Sequence, residues 1–213
     1  MKLWKIVLVF VVLIANLAIA QPSFADRPKL SKSADYIEVT QNLDNLLNAQ
    51  NSQTQPDGLT PEQLQQQIAQ LQFQKYILET GKSWGQCRNE TGKTLAVYGP
   101  KPKKSDSPYD NALYLLADGQ TTNEKWDCDG VYLPSDVQLA GLNPADAQQS
   151  SGGVAVKIVD GTQLVAKTNP QTGAVELNIP PAKVFQAGQA NWFMPDISQQ
   201  AISMQIPTAP IDD

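Results

Sequence analysis

The chain has 213 residues, carries 16 Lys or Arg against 21 Asp or Glu for a formal net charge of −5, and contains no histidine. An acidic chain is a poor partner for nucleic acid or anionic lipid. The missing histidine removes Ser-His-Asp and Cys-His catalysis, His-ligated zinc and histidine pH switching together.

Residues 1–25 have the order of a secretory signal peptide: the positive head Lys2 and Lys5, an apolar run from Ile6 to Ala20 broken only by Asn16, then small-x-small exits at Ala18-Ile19-Ala20 and Ser23-Phe24-Ala25. Pro22 ends the apolar helix and Asp26 opens a polar segment, so cleavage is expected after Ala25, with Ala20 as the alternative. The run is about 15 residues, short of the roughly 20 that a membrane span needs, so no membrane span is expected after cleavage. Neither exit carries a cysteine for lipid attachment. Loss of Lys2 and Lys5 with the leader moves the charge from −5 to −7. Export places the mature chain in the periplasm or outside the cell, or in a thylakoid lumen if the source has one.

Residues 26–82 read as a helical segment, 188 residues of mature chain being enough for one domain with an appendage or two small domains. Ser33 caps a helix to about Ala49, with Tyr36, Val39, Leu43, Leu46 and Leu47 on one face. Residues 48–58 (NAQNSQTQPDG) form a turn-rich linker. The second helix opens at Thr60, with Pro61 in its first turn and Gln63 completing a capping box, and Leu59 and Leu64 stand at hydrophobic-staple positions. It runs to Thr80 and stops at Gly81. Leu64, Ile68, Leu71 and Leu78 form its apolar face, which Phe73, Tyr76 and Ile77 broaden, and glutamines fill the other face. Neither stripe sustains a coiled coil. Two antiparallel helices are expected, docked on the next domain or on a partner.

Residues 83–186 read as a β-domain. Short β-branched and aromatic runs, broken by turn residues, predict strands at Thr94–Tyr98, Ala112–Ala117, Val131–Leu133, Val154–Val159, Gln163–Lys167, Val175–Ile179 and Lys183–Gln186. Asp160-Gly161 is a type I′ hairpin signal and residues 169–173 (NPQTG) supply the next turn, so Val154 to Ile179 reads as a three-stranded meander. Residues 187–213, with Trp192, Phe193, Met194 and Met204 between prolines, are expected to cross the β-domain without regular structure. The expected class is α+β: an N-terminal helical hairpin followed by a mainly antiparallel β-domain, a sandwich or partly open barrel, stapled by one disulfide.

The disulfide is Cys87–Cys128, since two cysteines in an exported chain favour a bridge over metal or catalysis. Closing this loop of roughly 40 residues is worth ~4 kcal/mol in the chain-entropy model. Trp84 and Trp126 flank the two cysteines and read either as core packing against the bridge or as an aromatic platform for a sugar or peptide. Asp118, Glu124, Asp127, Asp129 and Asp136 form an acidic run in which Asp127, Asp129 and Asp136 are candidate calcium ligands. The Asp127-Cys128-Asp129-Gly130 stretch lacks EF-hand spacing, and the alternative is solvated acids with Asp129-Gly130 as a turn. The same acids would serve a glycosidase if two stood ~5–9 Å apart. Asn89-Glu90-Thr91 is a glycosylation sequon, and failing that a turn. No phosphate loop, dinucleotide fingerprint or nucleophile elbow is present, so no cofactor is expected. The expected function is an exported, non-enzymatic binding or structural protein of the cell envelope that contacts a protein or glycan. The alternatives are an assembly factor for a membrane complex and an envelope hydrolase using Asp127, Asp129 or Asp136.

Overall fold

The computed structural model describes residues 29–212 apart from 53–55, 57, 82, 141–152, 197 and 205, so the leader over residues 1–25 lies outside the described residues. A short 3-10 turn (Leu30–Lys32) leads into α1 (Ala34–Asn51), and the Ser33 hydroxyl accepts the Tyr36 N–H at 3.4 Å as its cap. Helix α2 (Pro61–Thr80) begins with the reciprocal capping box: Gln63 N–H donates to Thr60 Oγ1 at 3.2 Å, and Thr60 N–H donates to Gln63 Oε1 at 2.8 Å. The helices run antiparallel. Val39 near the start of α1 packs with Leu78 near the end of α2, and Leu43 packs with Leu64 and Ile68.

The buried stripe of α2 is Leu64, Ile68, Gln74 and Leu78. Position 74 lies on this stripe by helical spacing, and position 73 lies about 100° away from it. Gln74 is therefore 8% exposed, while Phe73 and Tyr76 are 64% and 61% exposed. Phe73 and Tyr76 do not broaden the buried face; they leave it.

Among the described residues the β-domain has eight strands: β1 (Gln86–Glu90), β2 (Leu95–Pro100), β3 (Asn111–Leu116), β4 (Gly130–Leu133), β5 (Val154–Lys157), β6 (Gln163–Thr168), β7 (Val175–Leu177) and β8 (Lys183–Gln186). They form an antiparallel five-stranded sheet of order β3-β2-β4-β5-β8 and a three-stranded sheet of order β1-β6-β7. In the smaller sheet β1 and β6 are parallel and β6 and β7 antiparallel. The class is α+β, with the sheets mainly antiparallel.

Alternation along the large sheet sorts its side chains to two covered faces. Leu95, Val97, Leu116, Val131, Leu133 and Val156 face a core shared with Cys87, Leu164, Ala166 and Val175 of the smaller sheet. Ala96, Tyr98, Leu113, Tyr132, Ala155 and Phe185 face the other way, onto Trp192, Met194, Ile202 and Ile206 of the C-terminal segment. A sheet covered on both sides reads as near-continuous apolar runs, which is why Leu95–Gly99 and Gly130–Leu133 are buried throughout. The C-terminal segment is fastened by the tyrosines of this face. The Tyr98 hydroxyl donates to the Phe193 carbonyl at 2.9 Å and the Tyr132 hydroxyl to the Pro195 carbonyl. The segment also contains one short helix, α3 (Gln199–Ile202), where irregular chain was expected.

The expected meander from Val154 to Ile179 does not form. Strand β5 pairs with β4 and β8, and β6 pairs with β1 and β7. The Asp160-Gly161 turn exists, closed by Thr162 N–H to Val159 C=O at 3.2 Å with Gly161 at φ +80°. It carries the chain from one sheet to the other instead of folding it back. What redirects β6 is β1, a strand that the sequence reading missed because Gln-Cys-Arg-Asn-Glu has no β-branched residue. The 169–173 turn does close a hairpin, between β6 and β7.

Candidate functional site

Cys87 and Cys128 form the disulfide, with Cα atoms 6.0 Å apart, and both cysteines are buried in the core between the sheets. It ties β1 to the approach of β4, where Cys128 N–H also donates to Gly85 C=O at 2.9 Å. The two tryptophans separate. Trp126 packs into this core edge-on to Tyr114, at 5.2 Å and 88°, over Gly99, where a Cβ would lie 2.1 Å from the indole. Trp84 is half-buried, and no ring contact among the described residues involves it. The two indoles do not build one face.

Asn89 is fully buried, so the sequon is not an attachment point. Its Nδ2 donates to the carbonyls of Leu116 and Lys93, each at 2.7 Å, and its Oδ1 accepts from the Thr91 N–H at 3.0 Å and hydroxyl at 2.7 Å. These bonds join the end of β1 to β3.

The acids also divide. Asp136 stands apart, accepting the Gln199 N–H at 3.2 Å beside a polar cleft of about 280 Å³ that Lys93, Gln138 and Thr168 help to line. Asp118 accepts the Gly92 N–H at 2.8 Å. Asp127 and Asp129 remain together, held on either side of Cys128, with the Asp129 N–H donating to Tyr98 C=O at 3.0 Å. Asp127 shares a hydrogen bond with the buried carboxyl of Asp160, and Asp129 is hydrogen-bonded to the side chain of Asn111. Asn111 is buried, and its Oδ1 has no partner among the described residues.

Helix α1 closes over this cluster. Lys157 of β5 reaches Asp35 at 2.7 Å and Glu38 at 3.0 Å, and Lys183 of β8 reaches Glu38 at 3.5 Å. Lys157 and Lys183 are thus cations that these ion pairs place beside the acids of α1. Among the described residues no group of three or more Cys, Asp or Glu is arranged to hold a metal, which leaves the calcium expectation without a site there.

Desolvation first, then the charges of Asp129, Asp160 and Asp35, push the Asp127 carboxyl far above its ordinary value of 3.8, to about 9. Asp129 is raised to about 7, again by desolvation first and then by Asp35, against the opposing pull of Lys157 and Asn111. Asp127 and Asp129 are both pushed above the usual carboxylate range. Burial alone would raise Glu38, but Lys157 and Lys183 outweigh it and hold it low. Burial alone would lower Lys157, but Asp35 and Glu38 outweigh that and hold it high. The cavity beside the cluster, about 80 Å³ and lined by Asp35, Glu38, Lys157 and Lys183 among others, has room for a few waters and not for a sugar ring.

A second feature lies on the other side of the hairpin seam. Phe73 and Ile77 of α2 face Ile158, Ile179 and Pro180 across an apolar groove of about 100 Å³. Counting Phe73 as a broadening of the apolar face of α2 hides this groove; its position off the buried stripe is the signal that points to it.

Comparison with family models, curated proteins and solved structures finds no match for this chain.

Proposed function

We propose that the chain is an exported, non-enzymatic binding protein of the cell envelope, and that its partner is a protein presenting a short apolar segment to the groove between α2 and the β-domain. The observation that carries this reading is Phe73, an aromatic side chain left 64% exposed at the edge of an apolar groove. Tyr76, one helical turn on, is exposed beside it. Exposed aromatics flanking a groove are the usual anchors of protein recognition. Export is supported by the leader pattern of residues 1–25 and by the disulfide, which persists in oxidising compartments. No helix among the described residues is long and apolar enough to cross a membrane.

The test is capture from native envelope extract by the mature protein and by Phe73→Glu. An exposed substitution of this kind leaves stability within about 0.5 kcal/mol, so a change in capture reports on recognition. The expected result is one stoichiometric protein partner held by the parent and lost by the variant. Identical capture by both proteins would contradict the reading. So would turnover of glycans or peptides abolished by Asp127→Asn, which would make the chain a hydrolase.

A further inference from the structure

We propose that Gln74 is the hydrogen-bonding anchor of the groove, and that the segment it receives is an extended, uncharged peptide whose backbone runs past Gln74 into an amide-lined cleft between α1 and α2. This deepens the reading of the groove beside Phe73 as a protein-docking site, and rests on it.

The observation that carries it is a buried side chain with nothing to bond. Gln74 is 8% exposed and stands on the apolar stripe of α2, yet its carboxamide has no hydrogen-bond partner among the described residues. A buried polar group without a partner is costly, and native proteins keep few of them. Nor is this amide walled in. The sealed, unpartnered atoms among the described residues are Thr40 Oγ1 and Asn111 Oδ1, whereas Gln74 lines three cavities. One is the apolar groove of Phe73 and Ile77, and another is the small cavity at Asp35 and Lys157. The third is a cleft of about 540 Å³, within the range of about 300–1,000 Å³ usual for ligand sites.

Carboxamides line that cleft: Asn42 and Asn45 from α1, and Gln67, Gln70 and Gln74 from α2. Their spacing keeps each set on one face of its helix. The one charged side chain lining it is Lys183, already paired with Glu38 at 3.5 Å. Gln70, Gln74 and Ala182 line both the groove and the cleft, so the two run together at Gln74. Gln70 Nε2 donates to the Pro181 carbonyl at 3.4 Å. Gln74 is left as the amide at this junction with its donors and its acceptor unused.

The chemistry selects the occupant. A carboxamide donates and accepts without charge, which matches a peptide unit. A segment that places an apolar side chain in the groove brings its own backbone N–H and C=O groups, and these lose water and need partners. A purely apolar ligand leaves Gln74 unpaired, and a charged one meets only a lysine that is already paired. A peptide satisfies Gln74 and continues along the amides.

The test is an NMR titration of the intact, oxidised protein with acetyl-Leu-Leu-methylamide, with toluene as an apolar probe lacking peptide units and chitobiose as a glycan probe. The peptide is expected to shift the Ile77 methyl and Gln74 side-chain amide signals along one saturation curve, while toluene shifts Ile77 alone. Gln74→Met keeps the length and removes the amide. It is expected to weaken the peptide by about fivefold to tenfold, the worth of one neutral hydrogen bond. Toluene binding should stay unchanged, and the variant should melt no lower than the parent. Peptide shifts at Ile77 without any at Gln74 would overturn the proposal and leave the groove reading standing. No shift at either residue up to the solubility limit would overturn both. Chitobiose moving Gln74 where the peptide does not would make the cleft a glycan site and overturn the proposal. So would a Gln74→Met protein that binds the peptide as the parent does, or that melts lower, since the amide would then serve the fold.

Discussion

Asn89 illustrates how far a short sequence motif can mislead. Asn-Glu-Thr reads as an attachment sequon, yet all of the Asn89 side chain is inside the protein and every polar atom on it is bonded. Its neighbours depend on it. Removing the amide would leave the carbonyls of Leu116 and Lys93 without its Nδ2 donor, and the N–H and hydroxyl of Thr91 without its Oδ1 acceptor. Because an unsatisfied buried group costs about 1–3 kcal/mol, Asn89→Ala is expected to destabilise by about 2–4 kcal/mol in urea titration. A cost of a few tenths would contradict the network. Phe73 and Gln74 teach the complementary lesson. Residue type alone puts Phe inside and Gln outside, while the spacing from Leu64, Ile68 and Leu78 assigns the buried position to Gln74. The carboxyl cluster was half legible: Asp127 and Asp129 stood out, but Asp35, Asp160 and Lys157 join them only through the fold. Asp160 read as a turn residue because it is one.

At the scale of elements, local chemistry was readable and long-range pairing was not. The capping box at Thr60 and the stop at Gly81 need only neighbours in sequence and bound α2, as the cap at Ser33 opens α1. The turn at Asp160-Gly161 is equally local, yet which strand meets β6 depends on what lies beside it. There the disulfide matters. By fixing Cys87 of β1 in the core next to Leu164 of β6, its register partner, it helps hold a polar strand in a parallel pairing that composition does not favour. Cys87→Ser is therefore expected to cost about 4 kcal/mol by the loop-entropy estimate, and the melting temperature should match that of the reduced parent. Oxidised and reduced protein melting together would contradict a structural role for the bridge. The C-terminal segment was legible as a cover from its aromatics between prolines. Its attachment to Tyr98 and Tyr132 was not, because hydroxyl partners ninety-five and sixty-three residues away leave no trace in sequence spacing.

For the whole molecule, these parts give a layered body: helical hairpin, charged seam, and a central sheet covered on both faces. The seam sets opposing pH limbs. Asp127 and Asp129 are raised, so their contribution is complete below the ordinary carboxylate value and is lost as the pH climbs toward neutrality and on to about 9. Glu38 is lowered, so its contribution exists above the ordinary value and is lost as the pH falls through that region. Lys157 is raised and holds its contribution until strongly alkaline solution. Stability should therefore peak in mild acid. The most direct measurement is thermal unfolding of the intact oxidised protein, followed by helical circular dichroism and by calorimetry, from about pH 4 to about pH 9. The account predicts one cooperative transition in mild acid and a melting temperature lower by about 5 °C or more at the alkaline end. A melting temperature that is flat or rising from mild acid to alkaline solution, or helices that melt separately even in mild acid, would contradict it.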